Sequence, residues 1–205
     1  MKRSRSTEHF LFVGNQTCLD FVNTEMIKDG RRVDLLQDFS ELMAWMVQAH
    51  ILAAKDAREA VTKWGQRQQG LRAFERAREF RKKLRHMVDR IVGGRAVPQE
   101  AVDAINVLLR HHPGYAEIAK TARGFQRRYH LETEEADHLL TPLAESASDL
   151  LTQCDHAHIK RCRNRECILY FYDVTKNHGR QWCSMAICGN RVKVAAHYHR
   201  KRARQ

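Results

Sequence analysis

Two pairs of cysteines with the same internal spacing constrain this chain more than any other feature. Four residues separate Cys162 from Cys167, four separate Cys183 from Cys188, and fifteen lie between the pairs. Such a layout lets one tetrahedral ion grip two short turns, each offering two sulfurs, and so fasten segments too small to bury a core of their own. The commonest structural zinc turns hold two intervening residues rather than four, so the surroundings must sharpen the reading. Sulfur-only donors suit zinc. Four protein ligands leave no position for water, so a single structural ion is expected rather than a catalytic one. Two disulfides are the competing arrangement. The first residues, MKRSRSTEHFLFVG, carry charge without an apolar stretch of secretory length, which predicts a reducing cytoplasm where thiols stay free or bind metal.

The neighbouring residues predict how the turns are held. Leu169-Tyr170-Phe171-Tyr172 is a short aromatic run of strand character, Asn177-His178-Gly179 signals a turn, and Trp182 begins the return. A β-hairpin between the two cysteine pairs is the expectation. Ser184 stands where an N-cap would open a helix from Met185 to about His199, with Cys188 in its first turn near the positive end of the dipole. Turn, hairpin and helix together predict a treble-clef-like zinc finger.

Trp182-Cys183-Ser184-Met185, followed by Cys188-Gly189-Asn190-Arg191, resembles the signature of the CGNR zinc-finger family. Leu19-Asp20-Phe21-Val22-Asn23-Thr24 resembles the hallmark of the ABATE domain that such proteins carry N-terminal to the finger. Both stand in the expected order, and the helical stretch between them is similar in length and pattern, so the resemblance covers nearly the whole chain. It implies a bacterial, stress-linked transcription regulator. One departure is Ile168-Leu169-Tyr170, which stands where the family pattern has a Gly-Trp-Leu-like run and bears on hairpin packing rather than on metal binding.

Charge is concentrated where the cysteines are. Residues 156–205 hold 12 Lys and Arg against Glu166 and Asp173, a net of +10 out of a total of +12. A polyanion partner follows, because each neutralised phosphate releases counterions. On a helix beginning at Met185, Lys193, His197, Arg200, Lys201 and Arg204 fall on one face. Together with Arg191 they are the candidate nucleic-acid contacts, and DNA is the expected partner.

The rest of the chain reads as mainly α with a small antiparallel β-sheet, an α+β class. Phe10–Val13 and Cys18–Val22 read as two strands of a small hairpin. Asp20, Asn23 and Thr24 then place three hydrogen-bonding side chains beside apolar neighbours: either a ligand pocket for a small-molecule effector, or caps that tie a turn. Cys18 reads as a core residue. Helices are predicted from Asp38 to His50, Lys55 to Gln68 with Gly70 as breaker, Leu71 to Ile91, Pro98 to His111 and Glu134 to Cys154, the last restarting at Thr141-Pro142. Residues 124–131 read as a strand added to the N-terminal hairpin. The charges of the third helix read as a salt-bridged solvent face. His111 and His112 read as surface residues.

A mostly helical domain over residues 8–153 and a finger over residues 154–205 are expected to pack together, since no flexible linker separates them. No apolar run is long enough to span a membrane. The function expected is a zinc-dependent, DNA-binding transcription regulator, with a homodimer as a common arrangement for such proteins. An RNA- or protein-binding module is the alternative. An enzyme built on Asp20, Asn23 and Thr24 ranks last, because no nucleophile or acid–base pair accompanies them.

Overall fold

A computed structural model describes residues 10–110, 114–122, 124–131, 135–194 and 202. Among them the helices are α1 (Thr17–Val22), α2 (Phe39–Gln48), α3 (Ala54–Trp64), α4 (Gln68–Val92), α5 (Gln99–Leu109) and α6 (Thr141–Thr152). Three two-stranded antiparallel sheets accompany them: β1 (Glu25–Lys28) with β2 (Arg31–Asp34), β3 (Gly114–Thr121) with β4 (Gly124–Leu131), and β5 (Ile159–Arg161) with β6 (Tyr170–Tyr172). The architecture is mainly helical with small sheets, as expected. His111, His112 and the predicted helix beyond residue 194 lie outside the described residues.

The long helix α4 is the element on which α1, α2, α3 and α5 pack. Its inward face carries Ala73, Phe74, Ala77, Phe80, Leu84, Met87 and Val88 at three- and four-residue steps. The expectation of an all-solvent charged face needs correction at two arginines. Arg81 is 2% exposed. Its guanidinium donates to Thr24 Oγ1 at 2.6 Å and to Asp34 Oδ1 at 2.8 Å. Arg85 donates to the carbonyl of Val22 at 2.6 Å and lies 3.2 Å from Glu25 Oε2. Buried cations are stable only when paired, and the β1–β2 hairpin supplies both carboxylates.

That hairpin was not the one expected. Cys18–Val22 is a short helix rather than a strand, and Phe10–Val13 is not in a sheet. A five-residue stretch with four apolar side chains around Asp20 is too short to show a period that separates the two states. Here the Asp20 carboxylate accepts from the Gly14 amide at 2.7 Å and the Leu19 and Asp20 amides bond to Gln16 O, closing a helical turn. The hairpin lies next along the chain, turning at Asp29-Gly30, both with positive φ.

Gly70 does not break a helix but lies inside the first turn of α4, where a Cβ would meet the Trp64 carbonyl at 2.2 Å. The chain turns instead at Gly65, the C-cap of α3. Of the two residues able to cap α2, Asp38 and Ser40, Asp38 does so, accepting from the Glu41 amide at 2.8 Å. Thr141-Pro142 does open a fresh helix, α6, after a 3-10 turn. Strand β4 pairs with β3 rather than with the N-terminal hairpin.

Two apolar clusters result. The larger spans the helices and takes in Ile159 and Tyr170 from the C-terminal region. The smaller is centred on Cys162, Cys167, Cys183, Cys188, Leu169 and Phe171, and Leu11, Val13 and Met26 pack against it. Strand β6 faces both. Tyr170 and Tyr172 turn to the larger cluster and Phe171 to the smaller, as the two-residue period of a strand dictates.

Candidate metal centre

The first cysteine turn is the loop of the β5–β6 hairpin. Strand β6 pairs back onto β5 with Ile159 opposite Tyr172, so the hairpin encloses Cys162 and Cys167 instead of separating the two pairs. The predicted return through Trp182 keeps one tie to the first turn, from the Arg163 amide to Gln181 O at 2.9 Å. The Cys162 amide extends the ladder to Leu169 O at 2.9 Å, and the Cys167 amide closes the turn on Asn164 O at 2.9 Å.

The second turn opens a helix. Met185–Gly189 is π-helical and continues as α through residues 190–194. Ser184 is its N-cap by position, but the Ser184 carbonyl accepts from the Cys188 and Gly189 amides at 3.0 Å while its side chain makes no capping bond. Gly189 sits beneath the Met185 thioether, which a Cβ would meet at 2.6 Å.

These turns bring four buried sulfurs within 4.8 Å of one another. Cys167 and Cys183 are 3.9 Å apart, Cys183 and Cys188 3.6 Å. A zinc–sulfur bond of about 2.3 Å puts the edges of a tetrahedron at about 3.8 Å. The donor set therefore fits one zinc ion, and the four cysteines are able to hold it. Thiols this close compete for protons. Donation from Cys167 and Cys183 holds the Cys162 thiol well below its ordinary range, while sharing with Cys162 pushes Cys167 and Cys183 up.

Polar residues that the sequence did not single out hold this arrangement. Asn164, buried at 7% exposure, donates from Nδ2 to Cys188 Sγ at 3.4 Å and so ties one turn to the other. Arg180 stacks 4.1 Å above Phe171. It donates to the carbonyls of Val13 at 2.8 Å, Trp182 at 3.0 Å and Cys183. Asp173 is fully buried and accepts from Lys160 Nζ at 2.7 Å, Thr175 Oγ1 at 2.7 Å and the Arg180 amide at 2.9 Å. Burial pushes its carboxyl up, but Lys160 and the Thr175 and Arg180 donors outweigh that and hold it well below the usual carboxylate range. His178 stacks on His158 with ring centroids 3.5 Å apart, and its Nδ1 faces Asp173 O.

The three polar residues of the N-terminal motif are all buried and reach different partners. Asp20 holds the Gly14 amide, and burial raises its carboxyl to about 6 against the pull of the Gly14 and Val13 amides and of Arg180. Asn23 clamps the backbone of Tyr170, donating to its carbonyl at 2.8 Å and accepting from its amide at 2.9 Å. Thr24 donates to Phe21 O at 2.7 Å and accepts from Arg81. Cys18 is a core residue as expected, its thiol pushed up to about 12 by burial. Cys154 is only half-buried, with Gln16 Nε2 3.6 Å from its sulfur. Of the candidate nucleic-acid contacts, Arg191 and Lys193 are exposed, and His197, Arg200, Lys201 and Arg204 lie outside the described residues.

Four sulfurs on two turns, fastened to a mainly helical region by backbone clamps, define a zinc-finger protein of the four-cysteine structural class. Residues 158–201 match the model of the CGNR zinc finger. Residues 15–153 match the model of ABATE, described as "Putative stress-induced transcription regulator", and the chain belongs to that family. No curated protein matches it. Neither family is an enzyme family, and no helix among the described residues is long and apolar enough to cross a membrane.

Proposed function

We propose that this protein is a cytoplasmic, zinc-dependent transcription regulator whose finger binds DNA. Zinc bound by Cys162, Cys167, Cys183 and Cys188 supplies the cross-link between the two turns. The chain's own residues do the rest: Asn164 and Arg180 orient the turns, and Arg191 and Lys193 open the basic helix that His197, Arg200, Lys201 and Arg204 continue in sequence. Phosphates or guanine edges are its natural targets, arginine being able to grip guanine with two hydrogen bonds.

One observation carries this reading. Within residues 156–194 there are eight Lys and Arg against two acids, and one of those acids, Asp173, is buried inside the finger. A cation excess of this size on a metal-anchored element suits a polyanion better than a solvated face. A titration of filter-bound DNA duplex over several salt concentrations tests it. Binding should weaken steeply as salt rises, whereas affinity indifferent to ionic strength would remove the electrostatic basis, and equal or tighter binding of single-stranded RNA would redirect it.

In the same reading, residues 8–153 form the ABATE region and residues 154–205 the finger, and the Asp20, Asn23 and Thr24 motif transmits between them. Asn23 holds the strand that leads out of the first cysteine turn, so an effector that loosened α1 would alter how the finger is presented. A cleft of about 740 Å³ between Phe12, Val13 and Trp182–Met185 offers an effector room at this junction.

A further inference from the structure

Residues 161–165 alternate between solvent and metal centre. Arg161, Arg163 and Arg165 are exposed, while Cys162 and Asn164 between them are buried. Cys162 joins the sulfur cluster, and Asn164 donates to Cys188 Sγ. Arg161 ends β5, the chain bends at Arg163 and turns at Arg165, and this path, which buries Cys162 and Asn164, leaves all three arginines in solvent. The backbone beneath them is fixed by the bonds from Cys162 to Leu169, from Arg163 to Gln181 and from Cys167 to Asn164.

Among the described residues, no carboxylate is ion-paired with this row, and none of the three arginines has a side-chain hydrogen bond. Asp173 is spent on Lys160, Thr175 and Arg180, which leaves Glu166 as the exposed acid of residues 156–194. Beside the row lies a cleft of about 410 Å³ whose polar walls are Lys160, Arg161, Arg163, His178, Arg180 and Gln181. No acidic side chain lines it.

We infer that this cleft and the arginine row form a phosphate-binding edge on the first cysteine turn, separate from the basic helix. Arg161 and Arg163 hold one phosphodiester group in the cleft, and Arg165 continues toward the next. A row of arginines along one edge matches a repeating anion, and the planar fork of each can grip two phosphate oxygens at once. Metal binding and anion binding would then be two sides of one segment. The inference rests on the proposal that the finger binds DNA, and it names a contact which that proposal does not contain.

Salt dependence separates the two. For full-length, zinc-loaded protein and a mixed-sequence DNA duplex, each phosphate contact removed lowers the slope of log affinity against log salt by about 1. The double variant Arg161→Gln/Arg163→Gln, which empties one phosphate site, should lose roughly 1 from that slope and bind roughly tenfold more weakly at about 50 mM salt, with zinc content unchanged. Arg161→Lys/Arg163→Lys, which keeps the charge, should recover most of the slope. If the glutamine variant keeps the wild-type slope while Arg191→Gln/Lys193→Gln loses it, the edge is not a contact and the helix reading stands alone. If the lysine variant loses as much slope as the glutamine variant, charge is not the cause and the inference fails. Wild-type affinity that ignores salt would remove both.

Discussion

Asp20 and Asn23 are three residues apart and act in opposite directions on stability. Asp20 is buried, and its folded-state carboxyl titrates at about 6 instead of the ordinary 3.8. A raised carboxyl binds a proton in the fold that the unfolded chain has already lost, so its contribution is fully present below about pH 4 and declines as pH rises through about 6. That gap corresponds to about 3 kcal/mol. Asp20→Asn keeps an acceptor for the Gly14 amide and removes the proton. Urea midpoints taken from pH 4 to 7 should therefore fall for the wild type relative to the variant. Parallel curves would show that Asp20 does not titrate in this window. Asn23 stabilises at every pH, because it satisfies both the amide and the carbonyl of buried Tyr170. Asn23→Ala leaves both groups without a side-chain partner, at a cost of about 2–4 kcal/mol. The midpoint should drop with an unchanged denaturant slope, and a loss under about 0.5 kcal/mol would mean that water replaces the clamp.

At the scale of elements, what the sequence reveals depends on how local the determining forces are. The cysteine frame is legible because metal geometry demands fixed spacings, and α2 and α4 are legible because their apolar steps repeat over several turns. Helix α1 is too short for a period, and the clamp from Asn23 to Tyr170 spans 147 residues and leaves no local pattern. The β1–β2 hairpin did carry a signal, Asp29-Gly30, a strong hairpin dipeptide. The pairing of β6 with β5 rather than with the Trp182 segment is a choice between two nearby partners, which aromatic content alone does not decide. Gly70 shows a local rule overruled. Helix propensity predicts that Gly70→Ala gains about 1 kcal/mol, yet its Cβ would collide with a backbone carbonyl at 2.2 Å, which cannot swing aside. The substitution should lower the melting temperature by about 4 °C or more, equivalent to a net loss of at least ~1–2 kcal/mol. A rise would mean that the close approach of α3 and α4 is not tight.

Across the whole molecule the finger is not self-sufficient. Its own apolar cluster consists of four sulfurs with Leu169 and Phe171, Trp182 and Ile187 pack on it from within the finger, and Leu11, Val13 and Met26 close it from the N-terminal side. Tyr170 and Ile159, conversely, are buried in the helical cluster. The Arg180 side chain reaches the Val13 carbonyl, the Tyr172 amide reaches Gly14 O, and the Arg85 side chain reaches Ile168 O, so hydrogen bonds cross the junction in both directions. Because binding free energy for a structural metal is also folding free energy, whatever preorganises the two turns should tighten the ion. A fragment of residues 154–205 must order those turns from zinc alone. It should bind zinc more weakly than the full chain, with a competing chelator stripping the fragment at concentrations that leave the intact protein loaded. In the full chain, Cys183→Ser should release the metal and loosen residues 154–194, while the far-ultraviolet helical signal of α2–α6 persists. If the fragment holds zinc as tightly as the intact protein, the N-terminal region merely sits beside the finger, and the clamps from Asn23 and Arg180 contribute nothing to the metal centre.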